Sequence, residues 1–135
     1  MPNNTSFKVT KHVTVEDFYT AHAEALQLKL IAGATGLHRR IREGSVNRLG
    51  LALSGFFTYF AEKRVQMMGS AETSYLRSLS KPTLRTRIRA LFRRKIPCII
   101  FARGINPAAL FIEEAEYHQI PIFKSPMITM RLVNA

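Results

Sequence analysis

Arg64-Val-Gln-Met-Met-Gly-Ser-Ala-Glu-Thr-Ser-Tyr75 and, one basic segment later, Ile96-Pro-Cys-Ile-Ile-Phe-Ala-Arg-Gly104 decide the fold of this 135-residue chain. Arg64 to Met68 has strand length and closes on Gly69, which permits a sharp turn. Ser70 is placed to cap a helix from about Ala71 to Leu79, its hydroxyl accepting a free backbone N–H. Pro82 suits the first turn of a second helix, because it brings no N–H to leave unpaired there. In that helix Leu84, Ile88, Leu91 and Phe92 form an apolar stripe, and Arg85, Arg87, Arg89 and Arg93 lie mainly off it, expected to point outward. Pro97 to Ala102 is continuously apolar, the pattern of a central strand in a parallel sheet. Gly104 ends it, Pro107 opens a helix through about His118, and Ile120 to Phe123 is a last short strand. Strand, helix, strand, helix, strand implies right-handed βαβ crossovers. The expected fold class is α/β, a single domain over 1–135 with a mainly parallel or mixed sheet flanked by helices.

Upstream, Thr14-Val-Glu-Asp17 places a hydroxyl three residues before a carboxylate, a capping box with Asp in place of Glu. A helix from about Val15 to Ala25 follows, with Phe18, Ala21 and Leu26 on one face. Leu28 to Ala32 reads as a buried strand ended by Gly33 and Gly36, and Ile41 to Val46 as a further strand. At the other end, Ile128 to Asn134 is expected to begin a terminal helix.

Composition narrows the classes. A hydrophobic share of 47% against 21% charged residues is a globular balance, and the length supports one ordinary core. No apolar run approaches the ~20 residues that cross a bilayer, and MPNNTSFKVTK lacks the apolar core of a signal peptide. With one cysteine, Cys98, an internal disulfide is excluded and a cytoplasmic location is the simplest expectation. The formal charge is +11, from 20 Lys and Arg against 9 Asp and Glu. Between Glu72 and Glu113 no acidic residue occurs, while Arg77, Lys81, Arg85, Arg87, Arg89, Arg93, Arg94, Lys95 and Arg103 do. Such a stretch attracts polyanions, whether nucleic acid, phosphorylated ligand or acidic protein face, or it is a solvated helix face. A small basic nucleic-acid-binding protein is therefore the alternative reading, with the arginine helix near Arg85 to Arg94 on the phosphates.

Catalytic patterns are weak. No glycine is followed by lysine, so a Walker A loop is absent. Glu114 and His118 stand four apart on one helix, where an ordinary surface pair is the default over a metal site. Cys98 lies inside an apolar strand and reads as a small buried hydrophobe rather than a nucleophile. Phe56, Phe57, Tyr59 and Phe60 are too continuous for a base-stacking platform and read as a core corner or subunit contact. Gly33-Ala-Thr-Gly36-Leu-His-Arg39-Arg40 has the composition of a phosphate loop, although a tight connection with solvated arginines is the default. Ligands in open α/β sheets favour the carboxyl ends of strands, here near Gly69 and Gly104. The candidate anion or ligand contacts are Arg39, Arg40, Arg48, Arg64, Gly69 and Gly104; no catalytic, cofactor or metal residue is assigned.

From about Leu28 onward the chain resembles the N-terminal domain of bacterial HPr kinase/phosphorylase. The order that carries the resemblance is Gly36-Leu37 with Arg39, Val46-Asn47-Arg48, Gly50-Leu-Ala-Leu53, Gly55-Phe56, Tyr59-Phe60, Arg64-Val-Gln66, Gly69, Glu72, Tyr75-Leu76, Gly104 with Pro107, and Pro121. Leu49 stands where the family often has proline, and His38 where an acidic residue is usual. The resemblance implies a fold like the uridine-nucleotide-binding domain of muramyl ligases. It also implies a parent enzyme that phosphorylates a serine of HPr and reverses the step by phosphorolysis, regulating sugar uptake by the phosphotransferase system and catabolite repression. In that family ATP, magnesium and the catalytic residues belong to a C-terminal domain, so none is carried onto this chain. Its partners would be that kinase domain, further copies in a homo-oligomer, HPr for the whole enzyme and a phosphorylated small ligand, with no membrane.

Overall fold

The computed structural model describes residues 13–128, which form a five-stranded sheet between two helical layers. Thr14 caps α1 (Val15–His22): its Oγ1 accepts from the Asp17 N–H at 3.1 Å, and Asp17 Oδ2 accepts from the Thr14 N–H at 3.0 Å. The expected capping box therefore forms, although the helix stops three residues early and exposes Ala21 while burying Val15 and Phe18. β1 (Lys29–Ala32) follows, then a 3₁₀ turn at Ala34–Gly36 and β2 (Val46–Arg48). The strand expected over Ile41–Val46 is displaced: Arg40 bridges Thr14, Ser45 is a single bridge residue, and the ladder with β3 starts at Val46. Ile41 is buried there as a loop residue in the core beside α1.

A second 3₁₀ turn, Gly50–Ser54, leads toward β3 (Val65–Met68), α2 (Ser70–Arg77), α3 (Lys81–Phe92), β4 (Ile99–Phe101), α4 (Ala109–His118) and β5 (Ile122–Lys124). The sheet order is β1-β5-β4-β3-β2. All neighbours are parallel except β1, which runs antiparallel to β5 and makes the sheet mixed. Ser80 caps α3 by accepting from the Thr83 N–H, and Pro82 sits in the first turn as expected. The helix expected over 128–134 falls, beyond Ile128, outside the described residues.

Strand alternation divides the core. Met68, Ile99, Phe101 and Ile122 face one side, packed with Leu76 of α2, Ile88, Leu91 and Phe92 of α3, and Phe111 and Ala115 of α4. Val65, Met67, Ile100 and Phe123 face the other, against Val15 and Phe18 of α1 and against Ile41. Both sheet faces are thus covered, which is why β4 reads as an unbroken apolar run and β3 as an apolar one broken only by Gln66. Fully burying each of these large side chains contributes about 1.5–3 kcal/mol. Gln66 is the polar exception inside β3: its amide donates to the carbonyls of Ala61 and Arg64 and accepts from Asn47 Nδ2 at 2.7 Å. A buried amide with its donors and acceptor used fixes the approach loop without an unpaired group.

The glycines after β1 are packing residues. A Cβ on Gly33 would lie 2.0 Å from the Ile120 carbonyl oxygen, and one on Gly36 1.9 Å from that of Gln119. The loop is therefore a tight connection, but of its arginines only Arg40 is solvated, since Arg39 is half-buried against the Ile96 carbonyl. The aromatic segment, by contrast, splits. Phe57 and Phe60 pack against the core, but Phe56 is half exposed and Tyr59 99% exposed, so the segment is not a closed core corner.

Candidate functional site

The six arginines and glycines marked in the sequence fall at opposite ends of the sheet. Arg48, Gly69 and Gly104 lie at the carboxyl ends of β2, β3 and β4. Arg39, Arg40 and Arg64 lie at the amino ends, beside the residues that enter β3 and β4.

At the carboxyl ends the strand–Gly–helix turn is closed from within. The N-cap of α2 is Gly69 rather than Ser70, which is the first helical residue. The buried Glu72 carboxylate reaches back, Oε1 accepting from the Gly69 N–H at 3.1 Å and Oε2 from the Gly50 N–H at 3.4 Å. Arg48 completes the cradle as a two-pronged donor, Nε to Oε2 at 2.8 Å and Nη2 to Oε1 at 3.2 Å. Burial pushes the Glu72 carboxyl up, but the Arg48 hydrogen bond, backbone N–H groups and the guanidinium charge prevail and hold it below the usual carboxylate range. A carboxylate at a helix N-terminus is favoured by the backbone dipoles, in the position a bound phosphate would otherwise take. The second turn is also internally bonded: the Arg103 N–H donates to the Met127 carbonyl and the Gly104 N–H to the Ser125 carbonyl, both at 2.8 Å.

Next to these turns an apolar cavity of about 150 Å³ opens between α2, α3 and the start of α4. Met68, Leu76, Leu84, Phe101 and Phe111 line it, and Thr73, Arg77 and Asn106 supply its polar groups. Thr73 Oγ1 already donates to the Gly69 carbonyl at 2.9 Å, which leaves its lone pairs as acceptors toward the cavity. The arrangement can hold an apolar group with one or two hydrogen-bonding edges.

The amino ends differ in charge. Arg39, Arg40, Arg42 and Lys95 line a cleft of about 360 Å³ with Ile96 as its apolar member. Arg39 Nε donates to the Ile96 carbonyl at 3.0 Å, and Arg42 Nη2 to the Lys95 carbonyl at 2.9 Å. Arg64 stands apart, paired with Glu43 at 2.9 Å. Sequence reasoning marked Arg39 and Arg40 but missed Arg42 and Lys95. The run Arg39-Arg40-Ile41-Arg42 was the available signal; Lys95, more than fifty residues away, is brought in only by the tertiary fold.

Glu114 is a correction to the surface-pair expectation. It is 3% exposed and receives Arg85 Nη1 at 2.6 Å and Arg89 Nε at 2.9 Å from α3, with His118 Nε2 3.4 Å away. Arg89, then opposing burial, then the charges of Arg89, Arg85 and His118 leave its carboxyl below the ordinary range. Two of the arginines expected to point outward are therefore turned onto α4, and they are two of those the nucleic-acid alternative would use. Arg94 stacks on Phe57, its guanidinium 4.2 Å from the ring centre. Cys98 is buried as expected, and burial pushes its thiol up, away from thiolate chemistry. Among the described residues no group of His, Cys, Asp and Glu has the geometry of a metal site. No helix among them is long and apolar enough to cross a membrane. The strand–helix turn does not fit a nucleotide phosphate, because Glu72 fills it.

Taken together, the covered mixed sheet and internally closed turns define a small α/β domain without a P-loop nucleotide site at its strand–helix turn. A sequence model of the family described as HPr Serine kinase N terminus matches residues 13–135, and the chain belongs to that family. HPr kinase/phosphorylase of Leptospira biflexa is 40% identical over 122 residues, covering 90% of this chain and 38% of the relative. That of Geobacillus sp. strain WCH70 is 36% identical over 109 residues, 81% of this chain and 35% of the relative. The chain thus spans under two fifths of the length of these relatives. Its fold is similar to part of a solved structure comprising the CBS and DRTGG domains of the regulatory region of Clostridium perfringens pyrophosphatase, complexed with its activator diadenosine tetraphosphate. The TM-score is 0.54 at 16% identity, over 83% of this chain and 44% of that one.

Proposed function

We propose that this chain acts as the non-catalytic, ligand-sensing N-terminal domain of a bifunctional HPr serine kinase/phosphorylase. The observation that carries the reading is Glu72: the strand–Gly–helix turn at Gly69 holds its own carboxylate where a phosphate would bind. ATP, magnesium and HPr are then the business of a separate kinase domain, and this domain communicates with it inside a homo-oligomeric cytoplasmic enzyme that regulates carbon catabolite repression. The apolar cavity beside Thr73, Arg77 and Asn106 is the sensing site in this reading. Its position at the carboxyl ends of parallel strands is where α/β sheets usually take ligands.

Two assays test it. Incubated with HPr, ATP and magnesium, the 135-residue chain is expected to form no phosphoserine; formation of phosphoserine would overturn the non-catalytic assignment. Screened by thermal shift against phosphosugars and uridine nucleotides, it is expected to be stabilised by at least one at saturating concentration. Loss of that stabilisation in Ala108→Leu, which narrows the cavity mouth, locates the ligand; unchanged stabilisation sinks the cavity assignment.

A further inference from the structure

We infer that the amino-end cleft of Arg39, Arg40, Arg42 and Lys95 is a second binding site, for the phosphate group of a small molecule. It lies at the end of the sheet opposite the cavity above, so its fate and that of the sensing site are independent.

Positive charge is paired at some places in the fold and left unpaired in this cleft. Arg48 is paired with Glu72 and Arg64 with Glu43, while Arg85 and Arg89 share Glu114, with Glu113 3.8 Å from Arg85. Among the described residues no carboxylate pairs with Arg39, Arg40, Arg42 or Lys95, and none lines their cleft. Four cations therefore converge on one concave surface without a counter-charge. Arg39 is half-buried, and burial, with the charge of Arg42 beside it, lowers the pKa of its guanidinium. A bound anion would offset the cost of burying this charge.

Geometry supports the same reading. Arg39 and Arg42 are each tied by one N–H to the adjacent carbonyls of Ile96 and Lys95, so both guanidinium groups are held on the same short segment entering β4. Each guanidinium has five N–H donors, so four remain on each after these bonds. A planar fork fixed in this way matches two oxygens of one phosphate, which a flexible surface lysine alone does not. Gly33 and Gly36, packed against the backbone that enters β5, set the path of the loop that presents Arg39 and Arg40. The charge count favours a phosphate over a single carboxylate, and the cleft of about 360 Å³ suits a small molecule.

Calorimetric titration of the whole 135-residue chain with inorganic pyrophosphate tests the site, with acetate as the singly charged comparison. Saturable binding at millimolar concentration or below is expected, with acetate failing to compete. The exposed Arg40→Gln and Lys95→Gln are each expected to weaken it about tenfold, the scale of one charge-assisted hydrogen bond. Arg93→Gln, an equal loss of charge at the exposed end of α3, is expected to change affinity less than twofold. Melting curves confirm that each variant is folded, and if one is not, the other carries the comparison. Absence of saturation, equal competition by acetate, or an Arg93→Gln effect as large as that of Lys95→Gln would each overturn the proposal.

Discussion

The two ends of the sheet use the same residue types and reach opposite electrostatic states. At the carboxyl ends an arginine, two glycine N–H groups and a helix N-terminus converge on Glu72, which neutralises them from within. In the amino-end cleft three arginines and a lysine converge with no acidic group among the described residues lining it. A glycine turn followed by a helix is thus no guide to anion binding unless the side chain three residues on is known. Unbalanced charge held in place by backbone carbonyls is the more informative sign.

The largest expected effect separates the glycines of the two ends. Gly33→Ala and Gly36→Ala force a Cβ to about 2 Å from a backbone carbonyl oxygen, and each is expected to cost more than about 3 kcal/mol in urea unfolding. Gly50→Ala, at φ +47 with open space around it, is expected to cost only about 1 kcal/mol. Similar losses at all three would mean that the amino-end loop is not locked onto the turn before β5.

Next in size is the removal of the internal carboxylate. Glu72→Ala leaves the Gly69 N–H and half-exposed Arg48 without their acceptor and is expected to cost about 2–3 kcal/mol. Glu72→Gln keeps an acceptor oxygen and is expected to cost less. Because α2 would then carry an uncapped N-terminus beside Arg48, Glu72→Ala is also expected to gain weak pyrophosphate binding at the carboxyl end. Equal stability of the alanine variant and the parent would remove Glu72 from the account.

Acid titration comes third. The carboxyls of Glu72 and Glu114 are both held below the ordinary glutamate range in the folded chain. The unfolded chain therefore binds protons first as pH falls, and the stability these groups contribute is fully present above that range. It is lost progressively as pH drops from about 4.3 through the lower folded values. Denaturant midpoints measured down to pH 3 should fall over this window, and Glu114→Gln should flatten part of the decline. A midpoint that rises on acidification would contradict both networks.

The smallest effect is expected at the amino end itself. Arg40→Gln and Lys95→Gln, measured without added anion, should change stability by no more than about 0.5 kcal/mol, with a gain where repulsion is relieved. Arg48→Gln, which breaks the pair to Glu72, should cost about 1 kcal/mol. Reversal of that order would reverse the comparison between the ends.

Much of this fold is legible because its central elements carry redundant local signals. Ile99–Phe101 is apolar on both faces, Val65–Met68 is so except at Gln66, and α3 has Ser80 and Pro82 at its start, so strand and helix are each marked more than once. Val46–Arg48 has no such mark: its place at the sheet edge follows from pairing with β3, and the apolar Ile41 nearby serves the core from a loop. The charge networks are harder still. Glu114 and His118 look like a surface pair on their own helix, while the arginines that bury Glu114 come from α3, 25 and 29 residues earlier. In the same way Arg39 and Arg40 are visible as a basic dipeptide, but their meaning depends on Lys95 and on carbonyls that only the sheet brings near.

The most direct test of the contrast between the ends is a nitrogen–proton NMR titration of the chain with inorganic pyrophosphate. Amide shifts are expected to move at residues 39–42 and 95–96 while Gly69 and Glu72 stay fixed. Movement concentrated at Gly69, Glu72 and Gly104, with the amino-end cleft unchanged, would contradict that contrast.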